Sequence, residues 1–178
     1  TRGKMGKHTF YNFLINPMEL LKISYISHKG SSDVSDLETY QRMLVPKRLD
    51  EIAKYVDNNG QFPTNIVINI KGSIRFEKSQ TIGDSAFGTL HLPDKYGSAW
   101  VIDGQHRLYG YAHSKRALNP NDKTTIPVLA YENLPSAKEA DLFVDINCEQ
   151  VRVSKSLLNE IYATLRWDSD VYSERVDA

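Results

Sequence analysis

Apolar residues recur along this chain with two different periods, and each predicts its own kind of element. Leu49, Ile52, Ala53 and Val56 fall at i, i+3, i+4 and i+7, a helix stripe that stops at "DNNG", Asp57 to Gly60. "NPMELLKI" opens as another helix, with Asn16 as cap and Pro17 at the first helical position. "HTFYNFLI" (His8 to Ile15) alternates as a strand, and "NIVINI" (Asn65 to Ile70) reads as a buried strand rich in β-branched residues. "SIRFEK" and "GTLHL" predict further strands separated by glycine-containing loops. "AWVI" (Ala99 to Ile102) is a short apolar strand, and Leu108, Tyr111, Ala112 and Lys115 continue after it as a helical face. "TTIPVLAYE" (Thr124 to Glu132) is a strand in which Pro127 argues for an edge or a bulge. "LPSAKEADLFVDIN" reads as a helix with Pro135 near its start, and "VSKSLLNEIYATLRW" as a last helix capped by Ser154. The most loop-like stretch is "HKGSSDVSD", His28 to Asp36. Strands come in groups with helices between them, so an α+β domain with one mixed sheet fits better than a parallel α/β sheet.

Length and charge narrow the partners. The 178 residues suit a single domain with a real core, and the ends, "TRGKMGK" and "RWDSDVYSERVDA", read as a fragment of a longer protein. Lysine plus arginine balance aspartate plus glutamate at 22 each, so no global field draws the chain to nucleic acid or anionic membrane. A local basic face remains open, with Arg2, Lys4 and Lys7, or Lys115, Arg116 and Lys123, as candidates beside the plainer reading of scattered solvated charges. One cysteine, Cys148, excludes an internal disulfide and a cysteine-rich zinc site, which suits a reducing cytoplasm. No apolar run approaches the roughly 18 residues of a membrane span, and no signal peptide is visible.

The chemistry concentrates where "AWVI" turns into a helix. Asp103, Gly104, Gln105, His106 and Arg107 stand side by side there. A helix beginning near Gly104 presents unpaired N–H groups at the positive end of its dipole. Glycine lets a ligand come close, Gln105 and His106 add donors, and Arg107 adds a guanidinium suited to phosphate. That is an anion site, most naturally for nucleotide phosphates. Asp103 then holds Mg²⁺, orients a water or hydroxyl as base, or fixes Arg107 or His106 by a hydrogen bond. The plainer alternative makes Asp103 an N-cap, Gly104 a turn residue and the rest a solvated first turn. Two further polar groups stand apart from this turn. Gln41 and Arg42 of "YQR" lead into a helix, where side chains can reach a ligand or simply be solvated, and Asn147 can be a C-cap.

Asp103 to Arg107 spell the name-giving motif of DGQHR-domain proteins, a branch resembling the ParB/sulfiredoxin-like superfamily. "YQR", "FPTNIVINI", the DGQHR turn and "LFVDINCEQVRVS" occur in that family's order, over roughly residues 40 to 158. They also resemble the boxes of the nucleotidase-like domains in GmrSD-type restriction systems. Within the branch the chain looks most like DndB-like proteins of DNA phosphorothioation clusters and their relatives in deazaguanine DNA-modification clusters. The resemblance implies a ParB-like α+β fold and a nucleotide site, with NTP hydrolysis or switching in a DNA-modification or phage-defence system. Carried over by position, Asp103, His106 and Arg107 are the expected catalytic residues, with Asp103 also the Mg²⁺ ligand. Gln41, Arg42, Gly104, Gln105 and Asn147 are the expected nucleotide-binding residues. The sulfiredoxin cysteine of this turn is replaced by Gln105, which argues against thiol–phosphate chemistry, and no helix-turn-helix of the ParB kind is apparent. The leading expectation is an NTPase. Its alternative is a noncatalytic DNA-binding regulator of a phosphorothioation cluster. The expected partners are a nucleotide and no membrane, with DNA, other proteins of the cluster and further copies of the chain left open.

Overall fold

The computed structural model describes residues 1–25 and 44–148. Asn16 has extended backbone, and its side chain accepts a hydrogen bond from the Met18 amide at 2.8 Å. With Pro17 behind it, this cap starts helix α1 (Pro17–Ile23), which buries Leu20 and Ile23. Helix α2 (Pro46–Asp57) likewise opens on a proline and buries Leu49, Ala53 and Val56 of the predicted stripe. It ends at Asn58, after which Asn59 takes a positive φ of 64°. Asparagine tolerates that left-handed turn because its short polar side chain bonds locally.

Eight strands form one mixed sheet among the described residues. In chain order they are β1 (Arg2–Met5), β2 (His8–Ile15), β3 (Ser24–Tyr25), β4 (Ile66–Ile70), β5 (Arg75–Ile82), β6 (Ser85–His91), β7 (Ala99–Asp103) and β8 (Ile126–Glu132). Their spatial order is β3-β7-β4-β8-β2-β1-β6-β5. The pairs β3–β7 and β4–β8 are parallel and the others antiparallel, as the α+β expectation requires. Helices α3 (Gln105–Ala112) and α4 (Ser136–Cys148) complete the elements, with a 3₁₀ turn at Arg116–Leu118. The chain divides into a unit of Thr1–Val144 and a second unit beginning at Asp145, whose described part is the end of α4.

One strand was not predicted, and two predicted features need correction. Arg2–Met5 has no strand-like apolar pattern, yet pairing with β2 across the Gly6–Lys7 turn makes it a strand. Pro127 does not mark an edge, because β8 lies between β4 and β2. It faces Leu14 of β2, and pairing with β4 starts one residue later at Val128, so the missing amide costs no bond to β4. The face after the motif also stops early: α3 ends at Ala112, and Lys115 is exposed beyond it. The predicted loop at residues 28–36 and the helix at 153–167 lie outside the described residues.

The core is the middle of this sheet with α1 and α3 against it. Leu20, Ile68, Ile70, Val101, Leu108 and Val128 have no accessible surface. Helix α3 also crosses α2 closely at Gly110, where an added Cβ would stand 2.6 Å from Ile52 Cγ2. A second anchor is polar. Asn69, inside β4 and fully buried, donates to the Leu134 carbonyl and accepts from its amide at 3.1 and 3.0 Å. It also donates to buried Glu139 of α4. One amide thus ties the central strand to the segment that starts α4.

Candidate functional site at the strand-to-helix turn

Strand β7 is buried from Ala99 to Ile102 and surfaces at Asp103, which pairs with Val67 of β4. Gly104 then reverses the chain with φ 90° and ψ 10° and serves as the N-cap of α3. Only glycine suits this position: an added Cβ would lie 2.5 Å from Ile66 Cδ1, and the left-handed backbone disfavours L side chains. The turn is close packing and backbone strain avoided together.

Arg107 lies one helical turn after Asp103 and folds back onto it, Nη2 donating to Oδ2 at 2.7 Å. The same nitrogen donates to the Asn65 carbonyl at 3.1 Å. Nη1 donates to the Thr64 carbonyl at 2.6 Å and also to the Thr64 hydroxyl. The guanidinium therefore pins the loop entering β4 to the turn leaving β7. Burial lowers the Arg107 pKa, and the adjacent Asp103 carboxylate opposes the shift. The pair is nevertheless part-exposed, at 19% for the Arg107 side chain and 30% for Asp103, so a solute can reach it.

His106 points inward instead. It is 8% exposed, and its Nε2 accepts from the Val45 amide at 3.3 Å, at the N-cap of α2. An accepting Nε2 carries no proton, so this contact selects the Nδ1-protonated neutral ring. Gln105 is buried at 5% exposure. The motif thus splits by direction: Asp103 and Arg107 face the loop 64–65, while Gln105 and His106 lie in the interior. The solvated-first-turn alternative does not describe these residues, and Gly104, not Asp103, is the N-cap.

Gln41 and Arg42 lie outside the described residues, and for Asn147 the described part is its backbone within α4. Thr64, Asn65 and Val45 hold the turn and were not singled out by pattern, although Thr64 and Asn65 sit inside the quoted "FPTNIVINI". Backbone carbonyl partners carry no sequence signature, and this is why they escape notice. Among the described residues no three His, Cys, Asp or Glu side chains cluster for a metal. Asp103 therefore offers a single carboxylate, which fits Mg²⁺ only in the manner of sites completed by phosphate oxygens and water.

The basic candidates separate in space. Arg2 and Lys4 on β1 join Lys78 on β5 around a groove of about 430 Å³ that also contains Asp84. Arg116 lies elsewhere, beside Asn59 and Thr124. No described helix is long and apolar enough to cross a membrane.

A mixed-sheet α+β domain in which a buried strand ends in an Asp-Gly-Gln-His-Arg turn is the class this fold and site define. The DndB model, described as DNA-sulfur modification-associated, matches residues 1–174, and the chain belongs to that family. No curated protein and no solved structure matches it.

Proposed function

We propose that this chain is a nucleotide-binding component of a DNA-sulfur modification system, taking nucleotide phosphates at the N-terminus of α3 and hydrolysing the terminal one. The observation that carries the reading is the part-exposed Asp103–Arg107 pair beside the left-handed Gly104 turn. Backbone amides at a helix start and a guanidinium within reach are a phosphate-binding combination. Asp103 and Arg107 neutralise each other through their hydrogen bond. A phosphate oxygen is a competing partner for Nη2, so binding would release the Asp103 carboxylate to orient a water for attack. Mg²⁺, held by Asp103 and the phosphates, would supply charge neutralisation. His106, turned into the interior, supports the turn and orients α2.

The test is a melting series against ATP, GTP, CTP and UTP with Mg²⁺, followed by phosphate release. A bound nucleotide at about 100 times its Kd adds roughly 2.7 kcal/mol of stability. Asp103→Ala should keep the nucleotide-induced shift and lose release. No shift with any of the four nucleotides would reject the reading.

A second reading is a noncatalytic DNA-binding regulator, and the groove of Arg2, Lys4 and Lys78 favours it. Three cations along one strand-walled groove suit a phosphodiester backbone. A gel shift that weakens steeply with salt, falls in Lys4→Ala/Lys78→Ala, and occurs without turnover would select it.

A further inference from the structure

A cavity of about 420 Å³ opens between the N-terminal end of β8 and the segment 59–62 that precedes β4. Val56, Phe62 and Ile126 give it an apolar lining. Arg116, Thr124 and Tyr111 bring polar groups to the same lining. The Arg116 guanidinium donates to the Asn59 side-chain carbonyl and, at 3.5 Å, to the Thr124 hydroxyl. Both partners are neutral. Among the described residues Arg116 enters no ion pair. Asp122 feels the Arg116 charge, but its carboxylate oxygens are bonded by the Tyr111 hydroxyl and by the Thr124 hydroxyl and amide. A guanidinium hydrogen-bonded only to neutral groups, in a cavity with apolar lining, has positive charge to offer and a surface to desolvate its guest.

We propose that this cavity binds a small organic anion, a carboxylate or phosphate monoester carried on a flat apolar body, with Arg116 gripping the anionic group and Phe62 and Ile126 receiving the body. The volume lies within the usual range for small-molecule sites, roughly 300–1,000 Å³. The guanidinium fork matches both carboxylate and phosphate, so the chemistry is shared and the source is separated by experiment. The site is distinct from the DGQHR turn. The two share one connection: the segment that lines the cavity at Gln61 and Phe62 runs directly into Thr64 and Asn65, the partners of Arg107.

The probes are benzoate, phenyl phosphate and inorganic phosphate, titrated into the whole chain and followed by calorimetry and by backbone amide shifts at Gln61 and residues 124–126. Benzoate or phenyl phosphate should bind and move those amides, and whichever binds better identifies the carboxylate or the phosphate as the natural group. Inorganic phosphate, lacking the apolar body, should bind at least about tenfold more weakly. Arg116→Gln should weaken the organic anion at least about tenfold, since a charge-assisted fork is lost. Thr125→Trp, which adds bulk at an exposed lining position, should block the organic anion while leaving Arg116 in place. Absence of binding by either organic anion, or equal binding by Arg116→Gln, overturns the proposal. Loss of binding in Arg107→Gln with Arg116→Gln unaffected also overturns it, by assigning the anion to the turn.

Discussion

At the scale of single residues, the turn rests on two residues, Gly104 and Arg107, that no other residue type replaces. Gly104 combines φ 90° with a Cβ position 2.5 Å from Ile66 Cδ1. Gly104→Ala should therefore cost about 1–3 kcal/mol through backbone strain, with displacement of Ile66 added, as read by urea denaturation. Arg107 makes its bonds to Asp103, Thr64 and Asn65 with a planar fork. Arg107→Lys keeps the charge but cannot span those acceptors, and a loss of about 1–3 kcal/mol is expected. Wild-type stability in Arg107→Lys would show that the clamp contributes little. The glycine and the arginine were both legible in the sequence as special. Their partners were not, because carbonyl oxygens at residues 64 and 65 belong to the backbone.

Between elements, the helix crossing and the β4–α4 tie are the vulnerable joints. Gly110 lets α3 approach α2 so closely that an added Cβ meets Ile52 at 2.6 Å and the Leu49 carbonyl at 3.3 Å. Gly110→Ala gains helix propensity yet should destabilise by about 1–3 kcal/mol, since the helices must move apart. Asn69→Leu removes both bonds to Leu134 and the one to Glu139, leaving polar groups buried without that partner. A loss of at least about 2 kcal/mol is expected, with faster hydrogen exchange at the start of α4 than in α3. The sequence announced α1, α2, β4 and β7 by period and caps. It passed over β1, whose strand character comes from its partner, and misjudged Pro127, whose harmlessness depends on where the β4 pairing begins.

Across the whole molecule, pH reports on the ties that close the far end of α3. Burial first, and the bond to Asp122 second, push Tyr111 up to about 12 from 10.0. A raised folded pKa means this stabilisation is complete below pH 10 and is lost as pH rises through about 12. For Asp122 burial alone would raise the pKa, but the hydrogen bonds from Tyr111 and Thr124 outweigh it and hold the carboxyl below 3.8. That contribution is present above the unfolded value and disappears as pH falls through the lower folded one. Tyr111→Phe should flatten the alkaline limb of a stability–pH curve and reduce the acid limb. An unchanged alkaline limb would place the titration elsewhere. At the same scale, a net charge of zero concealed a grouping: Arg2 and Lys4 meet Lys78 only because β6 bridges β1 and β5.

Local rules sufficed for what depends on near neighbours in the chain. Helix stripes, the Asn16 cap, the buried strands and the strand-to-helix turn all follow from side-chain period and backbone preference over a few residues. The order of the motifs likewise carried the family. The directions of the five motif side chains needed the folded sheet, because packing of β7 against β4 and of α3 against α2 decides which of them meet solvent. Arg107 faces Thr64 and His106 faces Val45 through contacts 43 and 61 residues apart, which no local pattern encodes.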